Sequence, residues 1–325
     1  MKKIVISIVL AVVCGGFTAC DTEIEPLNLQ PVNKYSEQYY QNLRDYKSGM
    51  TERSICFVWF GDYNDPSTPA YRFSALPDSV DICSLWGGFP DAQKTPVAYK
   101  EMWEMRNKKG TLLVAPTIIR IMENANYENF GLTYEDMVSQ KTTLDPEGVY
   151  PDWCILYGDF LLQQMWDNRI DGLDLDYEPE SSDERNYGIY GPRMTLFVKY
   201  LGQFIGPMGA DTTKLLIVDG HTPEAAVEPY LNYFVKQNYG SSSCSKVSGF
   251  PWEKCVYTEN VGDYWQTGGN LEKQAAYQPA EGYKGGFGAF MVQRDYHTTD
   301  SGSNNTMPYG HLRRGIQLQN PAVTK

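Results

Sequence analysis

Residues 171–180 read DGLDLDYEPE, and few folds can hold such a segment. Alternate side chains of a β-strand point to opposite faces. Asp174, Asp176 and Glu178 therefore share one face, while Leu173, Leu175 and Tyr177 share the other. Carboxylates spaced at roughly 6.6 Å, twice the strand rise, repel one another when buried. An exposed edge strand with its acids in water would avoid that repulsion, but it is at odds with the flanking Ile170 and the two leucines. The pattern fits a strand covered on both faces, its acids converging on an interior and its leucines packed against an outer layer.

The rest of the chain supplies neighbours for such a strand. Apolar runs at 54–60 (SICFVWF), 79–86 (SVDICSLW), 111–118 (TLLVAPTI) and 215–219 (LLIVD) read as strands beside 170–177. Weaker strands near 233–239, 255–258 and 286–292 bring the number to eight. Helix-compatible stretches at 96–107, 151–168, 194–205 and 313–319 lie among them. In 151–168, Leu156, Phe160, Leu161 and Met165 are spaced to make one apolar face. This alternation predicts an α/β protein, a single-domain (β/α)8 barrel over residues 46–325. A polar tether and a short helix over 21–45 would precede it.

The N-terminus sets the expected compartment. Lys2 and Lys3 precede an apolar run from Ile4 to Val13, too short for a stable membrane span, and small residues then lead to Cys20. Residues 1–20 read as a signal peptide. The Ala19-Cys20 junction resembles the lipobox of bacterial lipoproteins, which implies lipidation at Cys20 and display at the outer membrane or cell surface. Cleavage by the general signal peptidase, giving a free secreted protein, is the plain alternative. Without residues 1–20, which hold two lysines and no acid, the net charge of −12 becomes −14. That charge argues against nucleic acid and anionic lipid as partners and is compatible with neutral sugars. A membrane contact is expected only through the anchor, and the chain is expected to be a monomer. Beyond Cys14 and Cys20 there are five cysteines, an odd number. Cys56 and Cys83 sit in strand-like runs as buried thiols, and Cys244 and Cys255 could bridge a loop. With three histidines and no CxxC or Cys/His cluster, neither a metal nor a cofactor is expected.

Asp171, Gly172, Asp174, Asp176 and Glu178 match every fixed position of DGxDxDxE. The segment resembles the fourth-strand signature of glycoside hydrolase family 18. The resemblance implies substrate-assisted retaining catalysis, an exception to the usual two-carboxylate scheme. Glu178 would protonate the glycosidic oxygen, and the substrate's own 2-acetamido oxygen would be the nucleophile, closing to an oxazolinium ion. Asp176 would orient the acetamido N–H and balance the developing positive charge. Asp174, one step deeper, would share a proton with Asp176. Asp171 faces the other way and would tie the strand to a neighbouring loop.

Chitinases of the family usually carry SxGG on the third strand, Met-x-Tyr-Asp on the sixth and Trp on the eighth. This chain has APTIIR (115–120), VKQNYG (235–240) and AFMVQRDY (289–296) there. Gln237 and Tyr239 are similar to the sixth strand of the endo-β-N-acetylglucosaminidases, which cut between the two core GlcNAc residues of N-glycans. That likeness implies N-glycans or N-glycoproteins as partners, with Tyr239 holding the acetamido carbonyl and Gln237 seating the sugar. A surface Tyr and Gln in a loop is the other reading. Glu259, Trp86, Gln293 and Tyr296 are further substrate-binding candidates at strand ends. Trp59 reads better as core, and His221 as a structural residue near the cleft. A chitinase or other β-N-acetylglucosaminide hydrolase, and a non-catalytic surface glycan-binding protein, stand as alternatives. The intact acid row speaks against the last, since a pure binder has no need of a proton donor.

Overall fold

The computed structural model describes residues 35–65, 67–119, 143–179, 191–297 and 307–321. The residues read as a signal peptide, Cys20 and most of the expected tether lie outside them. Eight strands, β1 (Ile55–Phe60), β2 (Ile82–Leu85), β3 (Leu112–Ile118), β4 (Gly172–Tyr177), β5 (Leu215–Gly220), β6 (Tyr233–Gln237), β7 (Cys255–Asn260) and β8 (Gly286–Phe290), pair in parallel in chain order and close into a barrel. The six described α-helices are α1 (Glu37–Ser48), α2 (Pro96–Lys109), α3 (Asp152–Asp167), α4 (Pro192–Leu201), α5 (Leu271–Ala276) and α6 (Gly310–Gln319). The expected (β/α)8 architecture is present. Its alternation is less regular than expected, because 3-10 turns at Ala225–Tyr230 and Trp252–Lys254 stand where helices would follow β5 and β6.

Strand parity divides the core in two. Ile55, Phe57, Trp59, Ile82, Val114, Leu215, Ile217, Tyr233, Val235 and Val256 fill the barrel interior as an apolar plug. Leu173, Leu175 and Tyr177 join the larger outer layer beneath the helices. Closing β4 against β5 requires Gly172: a Cβ there would meet the Leu215 carbonyl oxygen at 2.3 Å. The glycine of the acid motif is thus a packing requirement.

Two ion pairs pin the start of the barrel by the same device. Asp81, just before β2, takes Arg53 Nη2 at 2.6 Å and the Cys56 amide at 2.8 Å. Asp171, just before β4, takes Arg106 Nη2 at 2.6 Å and the Leu113 amide at 3.0 Å. Each carboxylate joins an arginine to the backbone of the preceding strand, so the leading aspartate of the motif is structural, as its parity predicted. Cys244 and Cys255, for which the sequence leaves a bridge open, are not joined. Both thiols are free and buried, Cys244 facing the Gln274 carbonyl and Cys255 the Pro251 carbonyl.

Candidate active site

The inward row of β4 rises from a sealed interior to an open mouth. Asp174 is wholly buried; its Oδ2 accepts from Trp59 Nε1 at 2.9 Å and Ser84 Oγ at 2.7 Å, and its Oδ1 has no partner. Burial pushes this carboxyl up to about 7; the Ser84 and Trp59 hydrogen bonds restrain the shift and the charge of Asp176 adds to it. Asp176 is 4 % exposed and accepts from Gln237 Nε2 at 3.3 Å through Oδ1. Glu178 follows the last residue of β4 and is half-buried, the first acid of the row with access to solvent. Such a carboxyl can draw protons from water and deliver them into the cleft.

Gln237 and Tyr239 come together with these acids. Gln237 ends β6 on the inward parity of Tyr233 and Val235, which carries its amide to Asp176. Two residues on, the Tyr239 ring stacks on Phe290 with centroids 6.1 Å apart and planes at 25°. Burial, then the negative field of Asp219, Asp176, Glu178 and Asp174, raises the Tyr239 hydroxyl far above its ordinary value. It therefore remains a hydrogen-bond donor at any working pH. Trp86, half-buried after β2, meets Phe290 edge-on at 5.4 Å and forms part of an aromatic wall. Trp59 is core, 1 % exposed, and its hydrogen bond to Asp174 is a task that sequence reasoning did not assign.

Three substrate-binding candidates have other tasks. Val256 belongs to the interior plug and Tyr257 to the outer layer, so Glu259 points away from the lumen by parity. Fully buried, Glu259 accepts from the amides of Gly240, Asn260 and Asn270 at 2.8–2.9 Å, and so braces the turn that carries Tyr239. Gln293 is 1 % exposed and ties the segment after β8 to the one after β1, accepting from the Gly61 amide and donating to Asp62 Oδ2 at 2.9 Å. Tyr296 packs into the outer layer, edge-on to Tyr309 at 5.5 Å. His221 is exposed, edge-on to Tyr177 at 5.9 Å.

The acid that sequence reasoning missed is Asp219. On β5 it continues the inward row of Leu215 and Ile217, and register places it opposite Asp176. It is 1 % exposed, and its carboxyl is pushed well above the carboxylate range by burial, then by Asp174, Asp176 and Glu178. The signal was available: an inward apolar row ending in an acid, beside a strand of acids.

A buried acid pair beneath a half-open carboxyl, with an amide and a phenol converging on it, suits acid catalysis on a neutral polar substrate. The sequence profile of glycoside hydrolase family 18, BT1044-like, matches residues 20–289. The chain belongs to glycoside hydrolase family 18. As a family-18 chain it is a glycoside hydrolase. It is 26 % identical over 322 residues to endo-β-N-acetylglucosaminidase F2 of Elizabethkingia meningoseptica, spanning 86 % of this chain and 85 % of that one. The selenomethionine structure of BT1044 superposes with a TM-score of 0.66 at 20 % identity, covering 88 % of this chain and 93 % of that one. An endo-β-N-acetylglucosaminidase from Cordyceps militaris, bound to fucosyl-N-acetylglucosamine-Asn, gives 0.63 at 21 % identity, covering 89 % and 97 %. These likenesses establish the shared barrel.

Proposed function

We propose that this family-18 hydrolase is an endo-β-N-acetylglucosaminidase that cuts between the two core GlcNAc residues of N-glycans. The observation that carries the reading is the grip of Gln237 on Asp176, with Tyr239 set against the same acids. An anionic acceptor flanked by an amide and a phenolic donor is a complementary seat for a 2-acetamido group. The names of the curated relative and of the Cordyceps structure support the same substrate class.

In the proposed reaction Glu178 gives its proton to the glycosidic oxygen as the C1–O bond breaks. The acetamido oxygen closes on C1, so the ring positive charge develops beside Asp176, which accepts the acetamido N–H. Tyr239 holds the acetamido oxygen in line, and Gln237 keeps Asp176 in place. Water then attacks C1 with Glu178 as base, and two inversions leave the anomeric configuration unchanged.

The test is intact-mass spectrometry of an N-glycosylated protein after incubation with the enzyme. A single GlcNAc left on asparagine is expected. Digestion of chito-oligosaccharides with the glycoprotein untouched would make the protein a chitinase instead. Glu178→Gln should retain glycan binding while kcat falls by roughly 10²–10⁴-fold, the usual contribution of a positioned acid. The proposal includes a lipid anchor at Cys20 and display at the bacterial surface. Radiolabelled palmitate should enter the wild-type protein and not Cys20→Ser; equal labelling would exclude the anchor.

A further inference from the structure

The reaction as proposed leaves Asp219 without a task, although it is buried within the site. Neither of its oxygens meets a donor, and the charges that act on it most strongly, those of Asp174, Asp176 and Glu178, are all acidic. Asp174 receives Trp59 and Ser84 on one oxygen, and Asp176 receives Gln237. The groups facing Asp219 are Asp174 and Asp176 from β4, Glu178 just after it, and Tyr239 from the turn after β6. Glu259 of β7 is committed to three backbone amides.

Closely placed buried acids cannot all ionise, and the proton they share rests where a negative charge is least supported. By its lack of donors, that place is Asp219. A contact between two carboxylates brings only acceptors together, so the Asp176–Asp219 approach becomes a hydrogen bond once one partner is protonated.

The geometry points to Asp219 as a positioning residue: as a neutral acid it donates its O–H to the Asp176 carboxylate and fixes that group beneath the reacting sugar. This role rests on the endoglycosidase reading for the part Asp176 plays. The proton stays on Asp219 through the cycle, and Glu178 alone exchanges protons with the glycosidic oxygen and with water. Gln237 and Asp219 then hold Asp176 from two sides, from β6 and β5.

The experiment compares Asp219→Asn, which keeps a neutral donor, with Asp219→Val, which keeps the volume and removes it. D219V should lose about 10- to 100-fold in kcat, the effect of one hydrogen bond to a charged group. Its KM should stay within about twofold, because the contact strengthens as charge develops. D219N should recover most of that loss. Difference infrared spectra of wild type against D219N, without substrate at neutral pH, should show a protonated-carboxyl band that the variant lacks. Equal loss in both variants, or a difference spectrum without that band, would overturn the assignment. If D219V does not fold, the infrared comparison decides. A wild type that leaves N-glycoproteins intact defeats the endoglycosidase reading, while the band still reports whether Asp219 holds the proton.

Discussion

The indole of Trp59 packs edge-on against Phe57 and Phe290, with centroids 4.7 and 6.1 Å away, and still delivers its N–H to Asp174. One buried side chain thus serves the apolar plug and the acid pair above it. Trp59→Phe keeps most of the packing and removes the donor, leaving Asp174 with Ser84 alone. The expected cost is about tenfold in kcat, at the lower end for a hydrogen bond to a charged group. Ser84→Ala acts on the same oxygen, so the double variant should depart from the product of the single effects. Steady-state kinetics of the three variants check this; strictly multiplicative losses would mean that the two donors work independently.

At the scale of strands, most of the site could be read before any coordinates, because parity is a two-valued property that apolar patterning reveals. Asp174, Asp176, Gln237 and the outward leucines all follow from counting by two along well-marked strands. Glu259 shows how the same rule fails. Its strand carries apolar residues on both faces, so the sequence does not mark which face is the lumen, and a shift of one residue exchanges substrate contact for a backbone brace. Gln293 and Tyr296 lie beyond the end of β8, where alternation no longer applies and turn geometry decides. Asp219 was overlooked because a single acid at a strand end resembles a loop residue until its neighbour strand is known. Pairing, a property of two elements, made it visible. Asp171 belongs to this scale too, since it links α2, β3 and β4. Asp171→Ala leaves Arg106 and the Leu113 amide without their acceptor. It should lower unfolding free energy by roughly 3 kcal/mol, measured by chemical denaturation. A change below about 1 kcal/mol would reduce the link to an ordinary surface pair.

For the molecule as a whole, the buried acids set a pH dependence of stability. Asp174 and Asp219 hold their protons above the ordinary carboxylate range, so between about pH 4 and pH 7 the folded chain binds more protons than the unfolded one. Stability from this source is complete at the acid end of that window and declines as pH rises through the folded values. Glu272 acts in the opposite sense. Against the effect of burial, hydrogen bonds from His311 and Arg314 hold it down to about 2, so its contribution is present above the ordinary glutamate value and lost as pH falls toward 2. Melting temperatures from about pH 5 to about pH 8 should therefore fall less steeply in D219N than in wild type. Parallel curves would show that the acid cluster does not govern this limb.

The five cysteines of the described residues are each buried and unbridged, and burial raises their thiols, Cys244 to about 11 and Cys255 to about 12. Neutral thiols out of reach of solvent are poor partners for exchange or oxidation. Whatever export route the chain takes, its barrel waits on no oxidase and no isomerase to shuffle sulfur. A leaderless form should mature alike in a reducing cytoplasm and in an oxidising envelope, and reach the same melting temperature with or without dithiothreitol.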